Sequence, residues 1–542
     1  MDSIAEFYKA WQPDVSTLYA CLPEIALAAL ALLALVFDVV CGSCAAKRAG
    51  GAFIRAALIA LFICVVGGAF PQPSPEEALP GFSVFAPFGI GGIVLFAPFG
   101  IGGIVSALFI ACAFFAINLA DVGRAREGNA EISAPATTHL ILVATAAASL
   151  LLKSVNFVAF FVLLETLTVC LYALVGSNRG NAHSLEAGVK YLIAGGISGG
   201  LMLFGIVLLY GGAALAGTAA NDPLGYGTIF SFLDQNPDSA IGLAGAGMVI
   251  AGVMFKLGVF PMQFWIPDVY QGAPTHVTFF LATLSKATGF FLMLPMLVVF
   301  SGVWDKLLPV LLACTLISIV YANLTALGQT NVKRLLGLSG VSHAGYLMLG
   351  VLGAGSVVAE GDGAAAELCL VLVVLYLFVY IVTVYPIFSV MARMPQKDDA
   401  LQDFDDYKKL SKRNPFLAGT LAFGLGSLAG IPPTVGFIAK LGLLYVLFRA
   451  GFYGSIAVML ACVVAGICYY FGWFRAAFSR GECCRGGASC RCGGKGEHAG
   501  ASCGCGNADY LPVRLCSRVT LVVFCAALVL GSLAYWLVLR VY

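Results

Sequence analysis

The sequence predicts an all-α polytopic membrane protein of about fourteen transmembrane helices. Three observations carry that prediction. Hydrophobic residues make up 60% of the 542 positions and charged residues only 11%, a balance foreign to water-soluble domains. Apolar runs of spanning length recur throughout, and no polar stretch between them is long enough to bury a core of its own, which excludes a soluble catalytic domain. The Lys and Arg residues between the runs alternate in abundance from one loop to the next.

The runs lie near 17–41, 53–70, 93–119, 137–152, 155–176, 186–214, 241–264, 276–301, 307–328, 335–357, 365–392, 416–448, 452–478 and 515–539. The run at 416–448 is long and broken at Pro432-Pro433, so it reads as one discontinuous span. With the N-terminus outside, twenty-one Lys and Arg fall in cytoplasmic loops and five on the other side. Lys333, Arg334 and Arg393 are counted among the former, Lys153 and Lys306 among the latter. Such a split puts both termini on the outer side, periplasmic in the bacterial inner membrane that is the preferred location, an organellar membrane being the alternative. The first residues, MDSIAEFYKAWQPD, lack a basic region before a short apolar core, so no cleaved signal peptide is expected. A net charge of +2 gives no reason to expect nucleic acid as a partner.

Two stretches are irregular. Val84–Val94 and Leu95–Val105 form a tandem repeat of eleven residues, read as a local duplication that lengthens the approach to the third span. The loop 479–514 holds Cys483, Cys484, Cys490, Cys492, Cys503, Cys505 and His498. These ligand types suit zinc or Cu(I). Their Cys-Cys and Cys-x-Cys pairs among many glycines suit a flexible connector better, because paired Cys-x-x-Cys knuckles are missing from that loop. The remaining cysteines lie in apolar runs and read as small buried hydrophobes.

Ionisable residues inside spans carry the functional signal, since each costs roughly 2.5–3.5 kcal/mol at a helix centre and is rarely kept without use. Glu165 interrupts FFVLLETLTVCLYAL. Lys256, Lys286 and Lys440 lie too deep for all of them to reach the interface, whereas Lys190, one turn into its span, is placed to snorkel. A Glu–Lys pair and desolvated lysines can exchange a proton, the alternative being a polar anchor between helices. His343, in LLGLSGVSHAGYLML with Ser339, Ser342 and Tyr346, is a candidate proton relay or a satisfied core histidine.

Two spans are broken beside a lysine: Lys256-Leu-Gly-Val-Phe-Pro261, and Gly430-Ile-Pro-Pro-Thr-Val-Gly-Phe-Ile-Ala-Lys440. They are the seventh and twelfth spans, so they cross in opposite directions, with the lysine before the proline in one and after it in the other. This order predicts two inverted five-helix repeats, spans 4–8 and 9–13. The expected organisation is 1–130 for the first three spans, 131–302 and 303–478 for the two repeats, 479–514 for the Cys/Gly-rich loop and 515–542 for the last span.

The stretches FVLLETLTVCLYALVG, FKLGVFPMQFWIPDVYQGAPTHVTFFLATLSKATGF, NVKRLLGLSGVSHAGYLMLG and LAGIPPTVGFIAKLGLL resemble the subunit N family of the proton-pumping NADH-quinone oxidoreductase, respiratory complex I. The resemblance covers roughly residues 130–450. It implies an antiporter-like, non-redox subunit that binds no cofactor itself, with FMN, iron–sulfur clusters and quinone held by other subunits. Implied partners are the other membrane subunits, the sister antiporter-like subunits among them, the lipid bilayer and protons. The family's functional positions fall on Glu165, Lys256, Lys286 and Lys440, with Lys190 and His343 in matching segments. Tyr385-Pro386 in the eleventh span departs from the pattern. A subunit of a multi-subunit Na⁺/H⁺ antiporter is the alternative reading.

Overall fold

A computed structural model describes residues 21–40, 44–66, 101–127, 134–218, 222–361, 363–394, 398–479 and 518–528. Among them nine helices are long and apolar enough to cross a membrane, and five shorter apolar helices accompany them. The chain is a helical membrane bundle. Each of the fourteen apolar runs contains a helix.

Three helices come first: α1 (Leu22–Val40), α2 (Cys44–Val66) and α3 (Ile101–Glu127). The weak run at 137–152 forms α4 (Ala134–Leu151), followed by α5 (Phe157–Val175) and α6 (Ala182–Leu215). Asparagines start both of the latter, Asn156 and Asn181 each accepting a backbone N–H of the first turn. A lateral helix not foreseen from sequence, α7 (Tyr226–Gln235), leads to α8 (Ala240–Leu257). After the break come the short α9 (Ile266–Gly272) and α10 (Thr275–Phe280). A π-helical turn, Leu281–Ser285, then joins α10 to α11 (Lys286–Val299).

The second half holds α12 (Trp304–Ala326), α13 (Val332–Ala359), α14 (Gly363–Met391), the single turn α15 (Leu410–Arg413), α16 (Pro415–Ala429), α17 (Val435–Arg449) and α18 (Tyr453–Phe478). A final helix, α19, covers Arg518–Leu528. The α13 helix is buried along its whole length and forms the axis of the bundle, with α12, α14, α17 and α11 packed around it. The α5, α6, α12 and α18 helices keep one apolar side exposed, as lipid-facing helices do.

Several charges assigned to loops are instead buried. Lys153 pairs with Glu24 at 2.8 Å, and Ser149 donates to the same carboxylate at 2.5 Å, tying α1 to α4. Lys333 and Arg393 are 0% and 4% exposed. A loop reading counts residues between apolar runs and cannot see that neighbouring segments fold over them. Cys112, Cys170, Cys369 and Cys462 are buried as expected, whereas Cys64 and Cys468 lie on exposed helix faces. Tyr385-Pro386 does not interrupt α14, and Tyr385 packs among Phe115, Phe279 and Phe524. Residues 84–100 of the tandem repeat, the Cys-rich loop from 480 onward and both termini lie outside the described residues.

Candidate functional site

The α8 helix stops because Gly258 takes the left-handed conformation at φ +74°, where its N–H and that of Val259 turn back to Met254 O. The α16 helix stops the same way at Gly430, φ +79°, with Gly430 and Ile431 returning to Gly426 O. The peptide bonds Phe260–Pro261 and Pro432–Pro433 that follow are cis. Both breaks thus share one backbone design.

Lys256 sits in the last turn of α8, 3% exposed, and its ammonium donates to the Thr168 hydroxyl on α5. The Thr168 hydroxyl donates in turn to Leu164 O at 2.5 Å. Glu165 lies one turn from Thr168 on α5, half-buried, with its carboxylate against Gly199 of α6, where an added Cβ would stand 2.7 Å from Oε1. Lys256 and Glu165 are near enough for each charge to act on the other, and among the described residues no ion pair joins them.

Lys286, 2% exposed, is the first residue after the π turn and donates to Gly340 O of α13. A π turn shifts the side chains that follow it around the helix and is frequent at functional sites. The Tyr380 ring lies 5.6 Å from the Lys286 ammonium. His343, three residues beyond Gly340 on α13, is 5% exposed. Its Nδ1 is 2.6 Å from the Tyr376 hydroxyl and its Nε2 3.4 Å from the Tyr470 hydroxyl. The hydroxyls foreseen on its own helix are placed otherwise: Ser342 accepts from Asn323 at 2.7 Å, Ser339 donates to Leu336 O, and Tyr346 meets the imidazole ring edge-on at 5.9 Å.

Lys440, 7% exposed, donates to Leu428 O and Ala429 O, each at 2.8 Å. These are carbonyls that the end of α16 leaves without intrahelical partners, so a cation there satisfies them and the helix dipole together. The Tyr346 ring is 6.0 Å from its ammonium.

The structure therefore brings Lys286, His343 and Lys440 together around α13, with Tyr380 and Tyr346 between them, and places Lys256 and Glu165 on α8 and α5. Lys190 stands apart. Its side chain is 45% exposed and bridges Glu186 at 2.7 Å and Asp268 at 2.9 Å. Sequence reasoning missed Thr168, Tyr376, Tyr380, Tyr470 and Asn323, since hydroxyl and amide groups in apolar spans give no signal until a partner helix is known. It also missed Tyr172 and Tyr191, which pack edge to face at 4.9 Å beside Glu165. Among the described residues no cluster of His, Cys, Asp or Glu is able to hold a metal ion.

The family model for the NADH:quinone oxidoreductase/Mrp antiporter transmembrane region matches residues 154–467. The chain belongs to that family. It is 44% identical over 465 residues, 84% of this chain and 86% of the relative, to NADH-quinone oxidoreductase subunit N 1 of Opitutus terrae. It is 33% identical to subunit N of Azoarcus sp., over 64% of this chain and 69% of that one. Two solved assemblies share the fold: respiratory complex I from Thermus thermophilus at a TM-score of 0.66 and 24% identity, and the Mrp complex from Dietzia sp. at 0.67 and 18%. The first match covers 96% of this chain and 98% of its counterpart, the second 97% and 95%. The expected resemblance to antiporter-like subunits N holds along most of the chain.

Proposed function

We propose that this antiporter-like protein is the proton-translocating, non-redox subunit N of an NADH-quinone oxidoreductase, moving protons while quinone is reduced elsewhere in the complex. The observation that carries the reading is the row of buried ammonium groups, Lys256, Lys286 and Lys440, each resting on a hydroxyl or backbone carbonyl rather than on a carboxylate. A cation held by neutral dipoles in apolar surroundings is costly to keep and releases a proton without breaking an ion pair.

In this mechanism the two inverted repeats span 131–302 and 303–478, and a proton enters from the cytoplasmic side to reach Lys286. His343 takes it from the Lys286 side at one ring nitrogen and gives it up from the other, with the Tyr376 and Tyr470 hydroxyls oriented on those two atoms. Lys440 receives it and releases it outside. Glu165 and Lys256 form the gate: a carboxylate near Lys256 stabilises the ammonium, and its withdrawal drives the proton onward. Lys190 is the cytoplasm-facing member, holding Asp268 of α9 rather than joining the buried row. The subunit itself holds no cofactor, FMN, iron–sulfur clusters and quinone being the business of other subunits. It sits in the bacterial inner membrane, termini outside, beside other membrane subunits including its sister antiporter-like ones.

The test is alanine at Lys256, Lys286 or Lys440 in vesicles of native membrane. Proton uptake driven by NADH oxidation is lost; uptake that stays at the level of the unaltered protein refutes the assignment. The likeness in fold to the Mrp complex sustains a second reading, a subunit of a Na⁺/H⁺ antiporter without a redox enzyme. Copurification with a flavin- and iron–sulfur-containing assembly decides between them.

A further inference from the structure

Beyond the buried row, one cluster of charges has no part in the mechanism above. Lys333 and Arg334 stand side by side in the first turn of α13. Cations there oppose the helix dipole, so their position needs compensation from elsewhere. Lys333 is fully buried, and its ammonium donates to Asp399 at 2.7 Å and to Ala273 O at 2.8 Å. Arg334 donates to Asp268 at 2.6 Å and Gln271 at 2.9 Å. Both cations thus reach across to α9 and to the turn that links it to α10.

Asp399 belongs to a strap, residues 398–407, laid across the starts of three helices. Asp398 accepts from Asn181, which caps α6, at 2.7 Å. Asp399 accepts the backbone N–H and the hydroxyl of Thr275, the first residue of α10, at 2.8 Å each. The Asn331 cap of α13 donates to Ala400 O at 2.9 Å, and Val332 N–H to Gln402 O at 2.8 Å. Gln402 in turn braces Asp399 at 2.9 Å. The Asp399 carboxylate therefore fastens the start of the Lys286-bearing span and the start of the His343-bearing helix to the same group.

Deeper in the bundle the same two elements meet again, where Lys286 donates to Gly340 O. The Asp399 clamp on Thr275 and Lys333 and the Lys286–Gly340 contact are thus two successive points at which α10–α11 and α13 are tied. We propose that the Asp399–Lys333 pair is a positioning device for Lys286: it fixes the height of the lysine-bearing span against α13 and so holds the ammonium on the Gly340 carbonyl. The inference rests on the proton-translocating reading and adds to it two residues and a strap from outside the membrane-spanning segments.

The test uses the whole respiratory complex in native membrane vesicles, with Asp399→Asn, Asp399→Glu and Lys286→Ala. Three quantities are read: the amount of assembled complex, the NADH–quinone rate, and protons taken up per NADH. Asp399→Asn lowers protons per NADH several-fold while amount and electron-transfer rate hold, and Asp399→Glu, which restores the charge, brings the ratio back. With assembly intact, an unchanged ratio in Asp399→Asn overturns the proposal, as does a lowered ratio that Asp399→Glu does not bring back. If Asp399→Asn lowers the amount of assembled complex, Thr275→Val carries the test, because it removes one hydroxyl from the clamp and no charge. A lower ratio then supports the proposal and an unchanged one overturns it. The Lys286→Ala control separates the two levels: normal pumping there refutes the transport reading itself, whereas lost pumping there beside normal pumping in Asp399→Asn refutes the clamp alone.

Discussion

The two broken helices share a backbone and differ in what their lysines do. At each break a left-handed glycine closes the first half-helix with the same pair of returning N–H groups. At the second break the lysine lies beyond the gap and reaches back, so that Lys440 caps the orphan carbonyls of α16. At the first, the lysine lies before the gap and turns sideways to Thr168 on α5, leaving the end of α8 to the glycine turn alone. One lysine is built into its break, while the other is bound to a neighbouring helix that also carries a carboxylate. In the proposed mechanism this fits the two roles: the gate lysine is tied to the helix of Glu165, and the exit lysine is not. The chain order of proline and lysine, reversed between the two breaks, produces this difference directly.

Methionine at each lysine breaks the comparison most sharply. It keeps the apolar stem and removes the ammonium. Both variants lose proton uptake, but they part in stability. Lys440→Met leaves two buried carbonyls at the end of α16 without their donor, at about 1–3 kcal/mol each. Lys256→Met removes a buried charge held by one hydroxyl with the Glu165 carboxylate nearby, leaves no backbone carbonyl without its donor, and is neutral or stabilising. Melting of the purified complex, followed by release of this subunit, orders them as Lys440→Met below the unaltered protein and Lys256→Met at or above it. The reverse order refutes the distinction between the two breaks.

The glycines come next. A Cβ at Gly258 would stand 1.9 Å from Ile266 Cδ1, the first residue of α9, whereas at Gly430 the nearest atom is the Lys440 side chain at 2.9 Å. Both substitutions carry the left-handed penalty of about 1–2 kcal/mol. Gly258→Ala in addition forces the buried Ile266 side chain out of its place, while Gly430→Ala displaces the flexible Lys440 stem. The amount of folded subunit in membranes therefore falls further for Gly258→Ala, and equal losses refute the asymmetry.

Much of this was legible beforehand, for reasons specific to the residues. Charges in apolar spans stand out in a sequence, so Glu165, Lys256, Lys286 and Lys440 were visible, and a proline beside a lysine announced each break. The π turn before Lys286 was not, because Leu281–Ser285 reads as ordinary helix and the extra residue is accommodated by packing against α3, α4 and α14. Nor were the partners of His343. Tyr376 and Tyr470 lie thirty-three and one hundred and twenty-seven residues away, and only the packing of α14 and α18 on α13 brings them to the ring. Lys333 was misplaced for a related reason: it follows a span boundary, and the strap that buries it comes from between α14 and α16, far along the chain.

The gentlest way to sharpen the comparison is Thr168→Val, which is close in shape and leaves every charge in place. It removes the acceptor of Lys256 and frees Leu164 O from the Thr168 hydroxyl. A hydrogen bond to a charged group is worth about 1.5–3 kcal/mol, which sets the ceiling on what Lys256 loses. The second break has no equivalent group, since Lys440 uses only backbone carbonyls that no side-chain substitution removes. If the first lysine is the one that responds to its neighbours, Thr168→Val slows NADH-driven proton uptake while the melting of the subunit changes little. Addition of Glu165→Gln then produces less further loss than it does alone, because both changes act on the same ammonium. Full additivity of the two would place Glu165 and Thr168 on separate routes and remove Lys256 from the gate.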